Sequence, residues 1–267
     1  MDDLRPLPKG RQQLSLVIAG GGDFVSIADV ETVLHLSRTE AAKRLSRWAQ
    51  QGWLHRVGAG TYAPVALDTL GAQQVIDDPW VLVPALYTPC YIGGRTAAEH
   101  WDLTEQIFKD IVVVTAQPLR ATRQIRHGIP FTLRHISREK IFGTKTLWRK
   151  RSRVQVSDVH RTIVDMLDEP ALGAGIQQVA DCFGAYLARA DRDDKRLVDY
   201  AAKLDNGAIF KRLGFLAERS GKAARLAEAC ADRLTAGTAS LDPAIGGTQL
   251  VARWRLHVPR SWMASTT

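Results

Sequence analysis

SIADVETVLHLSRTEAAKRLSRWAQQGWLHRVGAGTYAPV, residues 26–65, decides the reading of the first part of this chain. Ser26 with Asp29 three residues on is a helix start. Ser37 with Glu40 is a capping box, in which each side chain satisfies an orphan backbone N–H of the first helical turn. Between the two caps, Ile27, Val30 and Leu34 keep to one face of a short helix. A second helix is expected from about residue 38 to 51, because Ala41, Leu45, Trp48 and Ala49 recur at helical spacing and Gly52 supplies a stop. Its opposite face offers Thr39, Lys43, Ser46, Arg47 and Gln50, donors and cations suited to base edges and phosphates, with no carboxylate among them. Residues 53–57, a Gly58-Ala59-Gly60 turn and residues 61–65 then read as a β-hairpin.

Upstream, residues 11–19 carry Leu14, Val17 and Ile18 on one side of an earlier helix, which Gly20-Gly21-Gly22 ends. Helix, helix, turn, basic helix and hairpin is the order of a winged helix-turn-helix, expected over 1–66. A basic helix face alone is often only solvated surface. The order of the parts, the two caps and the cations gathered on one face favour DNA. The residues expected to meet it are Arg38, Thr39, Lys43, Ser46, Arg47 and Gln50 on the second helix and Arg56 on the hairpin.

The chain has 267 residues, 45% hydrophobic and 24% charged, enough for two domains with at least one sizeable core. Its net charge of +8 favours a polyanionic partner. The charge is unevenly placed. Residues 1–70 hold eight Lys/Arg against seven Asp/Glu, whereas residues 118–156 hold eleven against one. Cys90, Cys182 and Cys230 are odd in number and widely spaced, which excludes a disulfide framework and fits a reducing cytoplasm. MDDLRPLPKG is acidic and polar, unlike a signal peptide, and no apolar run approaches the roughly 20 residues of a membrane helix.

Beyond the hairpin, a short linking helix is expected at 66–77 within a linker at 67–79, and Asp78-Pro79 marks a boundary. The overall expectation is α+β, with a mixed α/β domain over 80–267. Its central sheet would occupy 80–157, its helical part 158–240, and a strand over 249–258 would return to the central sheet. Residues 80–87 fit either a helix or a strand. Thr96 with Glu99 resembles a third capping box, and 110–115 reads as a strand buried on both faces. Strands follow at 124–126, 129–136 and 153–156, and Ser157 is the expected cap of a helix with Val159, Ile163, Val164 and Leu167 as its stripe. Four further helices are expected at about 176–190, 195–204, 208–218 and 223–235.

Catalytic patterns are wanting. Gly93-Gly94-Arg95-Thr96 has the glycine-rich turn of a nucleotidyltransferase without the Asp-x-Asp that would hold its metals. No strand offers the acidic-x-Lys of a restriction-like nuclease, and the seven histidines form no metal motif. The expectation is a non-enzyme with no cofactor, no metal and no catalytic residue. The basic middle remains. Lys145, Trp148, Arg149, Lys150, Arg151 and Arg153 set an aromatic among cations, which suits a nucleic-acid backbone or an acidic protein patch.

The chain resembles the AbiEi-type antitoxins, regulator halves of type IV toxin–antitoxin operons. The resemblance rests on Gly52-Trp53-Leu54 and Gly60-Thr61-Tyr62-Ala63-Pro64, then on the stretches from Tyr91 to Thr104 and from Val156 to Asp165, then on Lys211-Arg212-Leu213-Gly214-Phe215-Leu216 and Arg253-Trp254-Arg255. The order and spacing of these segments span some 200 residues. The sequence departs from the family pattern at Gly94, where serine is common, and at His160, where an acidic residue is common. The resemblance implies an antitoxin that represses its own operon, binds operator DNA, sometimes as an oligomer, and counteracts a cognate AbiEii-type nucleotidyltransferase toxin, with or without a direct complex. Two other readings stay open: a nuclease or nucleic-acid modifier using the basic middle, and a ligand-responsive repressor without a toxin.

Overall fold

Both serine caps form. The computed structural model, which describes residues 8–20, 22–65 and 78–263, starts α2 (Ile27–Leu34) behind Ser26 and α3 (Arg38–Gln50) behind Ser37. Ser26 Oγ accepts from the Asp29 N–H at 3.2 Å, and the Asp29 carboxylate accepts from the Ser26 N–H at 2.7 Å. Ser37 and Glu40 repeat the exchange at 3.4 and 3.0 Å. His35, left-handed at φ 52°, turns the chain between the two helices. Helix α1 (Lys9–Gly20) precedes them. The hairpin of β2 (Leu54–Gly58) and β3 (Thr61–Pro64) gains a third strand, β1 (Val25–Ser26), in the order β1-β3-β2. At two residues, β1 is too short to leave a periodic signal in the sequence. Leu14, Val17, Val30, Leu45, Trp48, Leu54 and Tyr62 pack together as the core of this part. Truncating the wholly buried Leu45 to Ala should cost about 2–5 kcal/mol.

The chain divides into two compact units, residues 1–88 with 146–154, and residues 89–145 with 155–267. Apart from Asp78 and Pro79, the expected linker and its helix lie outside the described residues. The ambiguous segment after them is helical: the Asp78 carboxylate accepts from the Trp80 N–H at 3.1 Å, and a 3₁₀ turn (Pro79–Val81) runs into α4 (Leu82–Tyr87). Residues far downstream complete the first unit. The Asp23 carboxylate accepts from the Arg151 N–H at 3.1 Å and from the Ser152 hydroxyl at 2.8 Å. The Arg151 guanidinium donates to the carbonyls of Ile18 and Ala19 at the end of α1, at 3.0 and 3.2 Å.

In the second unit the main sheet is built from β4 (Cys90–Ile92), β5 (Ile111–Thr115), β6 (Arg123–Arg126), β7 (Ile129–His135), β8 (Thr144–Arg149) and β9 (Ser152–Ser157), in the order β6-β7-β5-β4-β9-β8. The outer part of β8 and β9, from 146 to 154, is counted with the first unit. Strand β5 is buried along its whole length between β7 and β4, as its β-branched run requires. Strand β8 is not among the strands expected from the sequence, because its cations, Lys145 and Arg149, read there as part of a solvated strand-and-loop face.

Three local expectations are corrected. Thr96 and Glu99 do not cap a helix: α5 (Gly94–His100) begins three residues earlier than that cap would place it, behind Gly93. The Thr96 hydroxyl instead accepts from the Val112 N–H at 2.9 Å. The start at Gly94 is steric, since its φ is 54° and a Cβ there would come within 2.5 Å of the Leu172 carbonyl oxygen. Ser157 does not cap α6 (Val159–Asp168). Asp158 does, accepting from the Arg161 N–H at 2.8 Å, while the Ser157 and Thr162 hydroxyls meet at 2.7 Å.

Residues 249–258 are not one strand and do not join the main sheet. They form β11 (Gln249–Val251), a 3₁₀ turn (Ala252–Trp254), a left-handed Arg255 and β12 (Leu256–Val258), which with β10 (Ala239–Ser240) make a separate sheet in the order β10-β12-β11. Trp254 causes the break. Fully buried, it donates its indole N–H to the Glu218 carboxylate at 2.5 Å and seats its ring on Gly214, where a Cβ would lie 1.9 Å away. The remaining helices are α7 (Ile176–Leu187), α8 (Asp194–Leu204), α9 (Gly207–Ser220) and α10 (Ala224–Ala231). Helix α6 packs against α5, α7, α8 and α9 and is buried from Val159 through Leu167. Among the described residues the fold is thus mixed α+β, with ten α-helices and three sheets.

Candidate nucleic-acid interface

Helix α3 buries Ala41, Leu45 and Trp48 and exposes Arg38, Thr39, Lys43, Ser46, Arg47 and Gln50, so the six helix residues expected from the sequence share solvent access. Buried positions at i, i+4 and i+7 fix the rotation of the helix about its axis. The polar face is therefore set by packing, one turn of cation (Lys43) below another (Arg47). Arg38 stands 3.9 Å from Glu31 with its side chain 77% exposed, a weak surface pair. Glu40 adds a carboxylate to the first turn, beside Lys43 and Arg44. Hydrogen bonds from Ser37, then the nearby cations, hold its pKa below the usual carboxylate range. Arg44, which the sequence left unassigned, donates to the Gln13 side chain at 2.6 Å and ties α3 to α1. Arg56 is exposed on β2, with its Nε donating to the Gly58 carbonyl at 3.3 Å across a bulge in the hairpin.

The basic run does not form one block. Trp148, Arg149, Lys150, Arg151 and Arg153 belong to the first unit and Lys145 to the second. Arg153 lies over the ring of Trp148 at 4.8 Å, and Trp148 is 62% exposed, so this pair presents a cation and an aromatic face. Arg149 covers Trp80 at 4.7 Å and Lys145 covers Trp101 at 5.0 Å. Lys150 sits in the left-handed region at the tip of the hairpin. Arg151 is spent on Asp23 and on the carbonyls of α1, so its role is structural. Further back in the run, Arg134 pairs with Asp168 and with Glu169, the latter at 3.2 Å.

Sequence reading gave no place to a buried polar cluster in the second unit. Arg161, wholly buried, donates to the Asp165 carboxylate at 2.8 Å and to the Tyr91 hydroxyl at 2.8 Å, and that hydroxyl donates to Asp165 at 3.0 Å. Phe142 lies 4.1 Å from the guanidinium carbon. Burial pushes the Asp165 carboxyl up while Arg161 pulls against it, and burial drives the Tyr91 phenol well above its ordinary value. Arg161 stays protonated at any ordinary pH, and its Nε stands 2.8 Å from the Asp165 carboxyl. One signal was available: Arg161 and Asp165 stand one helical turn apart. Next to them His160 is 4% exposed, with neither ring nitrogen hydrogen-bonded and Asp158 3.8 Å away. Burial, opposed chiefly by Asp158, lowers its pKa.

Among the described residues, no group of three or more His, Cys, Asp or Glu is placed to hold a metal ion, and no helix is long and apolar enough to cross a membrane. No disulfide joins Cys90, Cys182 or Cys230, and burial pushes the Cys230 thiol up to about 12.

No family model matches the chain, and no curated protein matches it. Among solved structures, the RV2827C protein from Mycobacterium tuberculosis is similar, with a TM-score of 0.59 over 95% of this chain and 92% of that one at 16% identity. At that identity the likeness is one of fold.

Proposed function

We propose that residues 1–66 form a winged helix-turn-helix that reads operator DNA with α3, and that the protein is the antitoxin and autorepressor of a toxin–antitoxin operon. The DNA reading is carried by one observation, the exposed polar face of α3 with its other side locked into the core. A major groove about 12 Å wide admits a helix presenting such a face. Lys43 and Arg47 would reach into the groove, with Thr39, Ser46 and Gln50 beside them and Arg38 near the entry. Arg56 would lie against the phosphates beside the hairpin. The antitoxin reading is supported by the resemblance to AbiEi-type proteins. In it, residues 80–267 counteract an AbiEii-type nucleotidyltransferase in the cytoplasm.

Fluorescence anisotropy with the DNA upstream of this protein's own gene tests the first reading. Arg56→Ala is expected to lower the slope of log affinity against log salt by roughly 0.9, the share of one phosphate contact. An unchanged slope would take the hairpin off the DNA. Co-expression with the adjacent nucleotidyltransferase-like gene tests the second. Growth restored by the full chain supports it, and continued arrest with soluble protein present rejects it.

A further inference from the structure

Strand β6 ends the main sheet, and among the described residues no strand pairs with its outer edge. Its inner edge is fully engaged. The register sets Arg123 against Thr132, Gln124 against Phe131, Ile125 against Pro130 and Arg126 against Ile129, and the Leu133 N–H donates to the Thr122 carbonyl at 2.6 Å. In an antiparallel pair, hydrogen-bonded positions alternate. Residues 122, 124 and 126 therefore direct their backbone groups to β7, while Arg123 and Ile125 turn theirs outward. The His127-Gly128 turn, with φ of 52° and 77°, pins this register. Pro130 fits it because its missing N–H falls opposite the outward-facing Ile125.

Two features distinguish this edge from an idle one. Ile125 is 73% exposed, an apolar side chain at the rim of a cleft of about 490 Å³ that Arg95, Asp110, Arg123, Pro130 and Thr132 also line. Asp110 brings no free negative charge to that cleft, since Arg95 pairs with it and the Thr132 hydroxyl donates to it at 2.5 Å. The edge segment itself is one-signed: residues 118–130 hold Arg120, Arg123 and Arg126 and no Asp or Glu. A second copy of β6 would set Arg123 and Arg126 against like charges, which disfavours self-pairing.

We propose that the outer edge of β6 takes an extended acidic segment of a partner protein as an added strand, with an apolar side chain of that segment over Ile125 and Pro130 and carboxylates opposite Arg123 and Arg126. Main-chain bonds to Arg123 and Ile125 supply the pairing, and the side chains choose the partner. The inference is independent of whether α3 binds DNA.

The test uses the isotopically labelled full chain and the peptide Thr-Thr-Glu-Val-Thr-Glu-Thr-Thr, with the same peptide carrying Lys for Glu as control. The acidic peptide at millimolar concentration is expected to shift the Arg123 and Ile125 amides and to slow their exchange, and the basic peptide to leave them alone. Ile125→Pro removes an outward N–H without touching a bond to β7, so it should abolish the effect while the amides of β5 stay in place. If that variant fails to fold, Arg123→Glu with Arg126→Glu decides. It should weaken the acidic peptide roughly tenfold and let the basic one bind. Unmoved Arg123 and Ile125 amides, equal response to both peptides, or response to an oligothymidylate in place of the peptide would each overturn the proposal.

Discussion

Helices α3 and α6 are both capped, both amphipathic in sequence and both carry arginine, yet α3 turns Lys43 and Arg47 to solvent while α6 buries Arg161 completely. The difference comes from what surrounds each helix. Helix α3 packs on one side, through Ala41, Leu45 and Trp48, and leaves Thr39, Lys43, Ser46, Arg47 and Gln50 exposed. Helix α6 has α5, α7, α8 and α9 around it, so Arg161 finds its partners in the interior, Asp165 on its own helix and Tyr91 on β4, while His160 beside it has no hydrogen-bond partner. The contrast separates two uses of charge. On α3 a cation costs the fold nothing and is available to a partner. On α6 it is held by Asp165 and Tyr91, and the fold depends on it.

The largest expected effect breaks the α6 side of this contrast. Arg161→Ala leaves the Asp165 carboxylate buried without its counter-charge and should destabilise the second unit by about 3–5 kcal/mol in urea unfolding of the full chain. A loss below 1 kcal/mol would mean that the cluster is not closed. On the α3 side, Arg47→Ala should cost about 1–3 kcal/mol of operator affinity and relax specificity, and Lys43→Ala should weaken all sequences alike. Neither should move the unfolding midpoint. If the two together leave operator binding intact, α3 is ordinary solvated surface.

A smaller effect tests the buried ring beside Arg161. The folded state lowers the pKa of His160 and the unfolded chain does not, so stability should be level above about pH 6.5 and fall as the pH drops below it. The slope from this one group can reach at most about 1.4 kcal/mol per pH unit. His160→Phe should flatten the decline. A profile identical to that of the natural chain would assign the acid sensitivity elsewhere. The smallest effect belongs to the α3 cap: Ser37→Ala removes the acceptor for the Glu40 N–H and should cost about 1 kcal/mol of stability.

The same contrast explains what the sequence made legible. The caps at Ser26 and Ser37, the α3 stripe and the hairpin turn are local, written within four residues or so, and they appear as read, whereas the caps expected at Thr96 and Ser157 do not. The environment of α6 is not local. Its stripe was visible, but the burial of its other face depends on four helices whose packing no short window contains. The expected strand over 249–258 failed for the same reason. Alternation along those residues was real, but it belongs to two short strands, and the partner that bends them apart, Gly214, stands forty residues away from Trp254. The segments that carried the AbiEi resemblance in the second unit meet in the interior, Tyr91 with Arg161 and Asp165, and Gly214 with Trp254. They form scaffold rather than surface, whereas the exposed edge of β6 carries none of those segments. The exposed face of α3 is easier to read because such a face needs only its own helix to define it.

The clamp of Asp23 on Arg151 and Ser152 bears on the order in which the chain matures. Those partners are 128 and 129 residues apart, so a nascent chain that has released only its helices and hairpin lacks the closing contacts of its first unit. Long closures form late and slowly compared with local ones. The first unit to begin folding is thus not the first to finish: strands β4 to β7 leave the ribosome before the hairpin that completes it. A fragment cut at residue 88 would resemble an arrested biosynthetic intermediate, with Asp23 and the end of α1 uncapped. Supplying residues 146–154 as a separate peptide should restore part of its resistance to proteolysis.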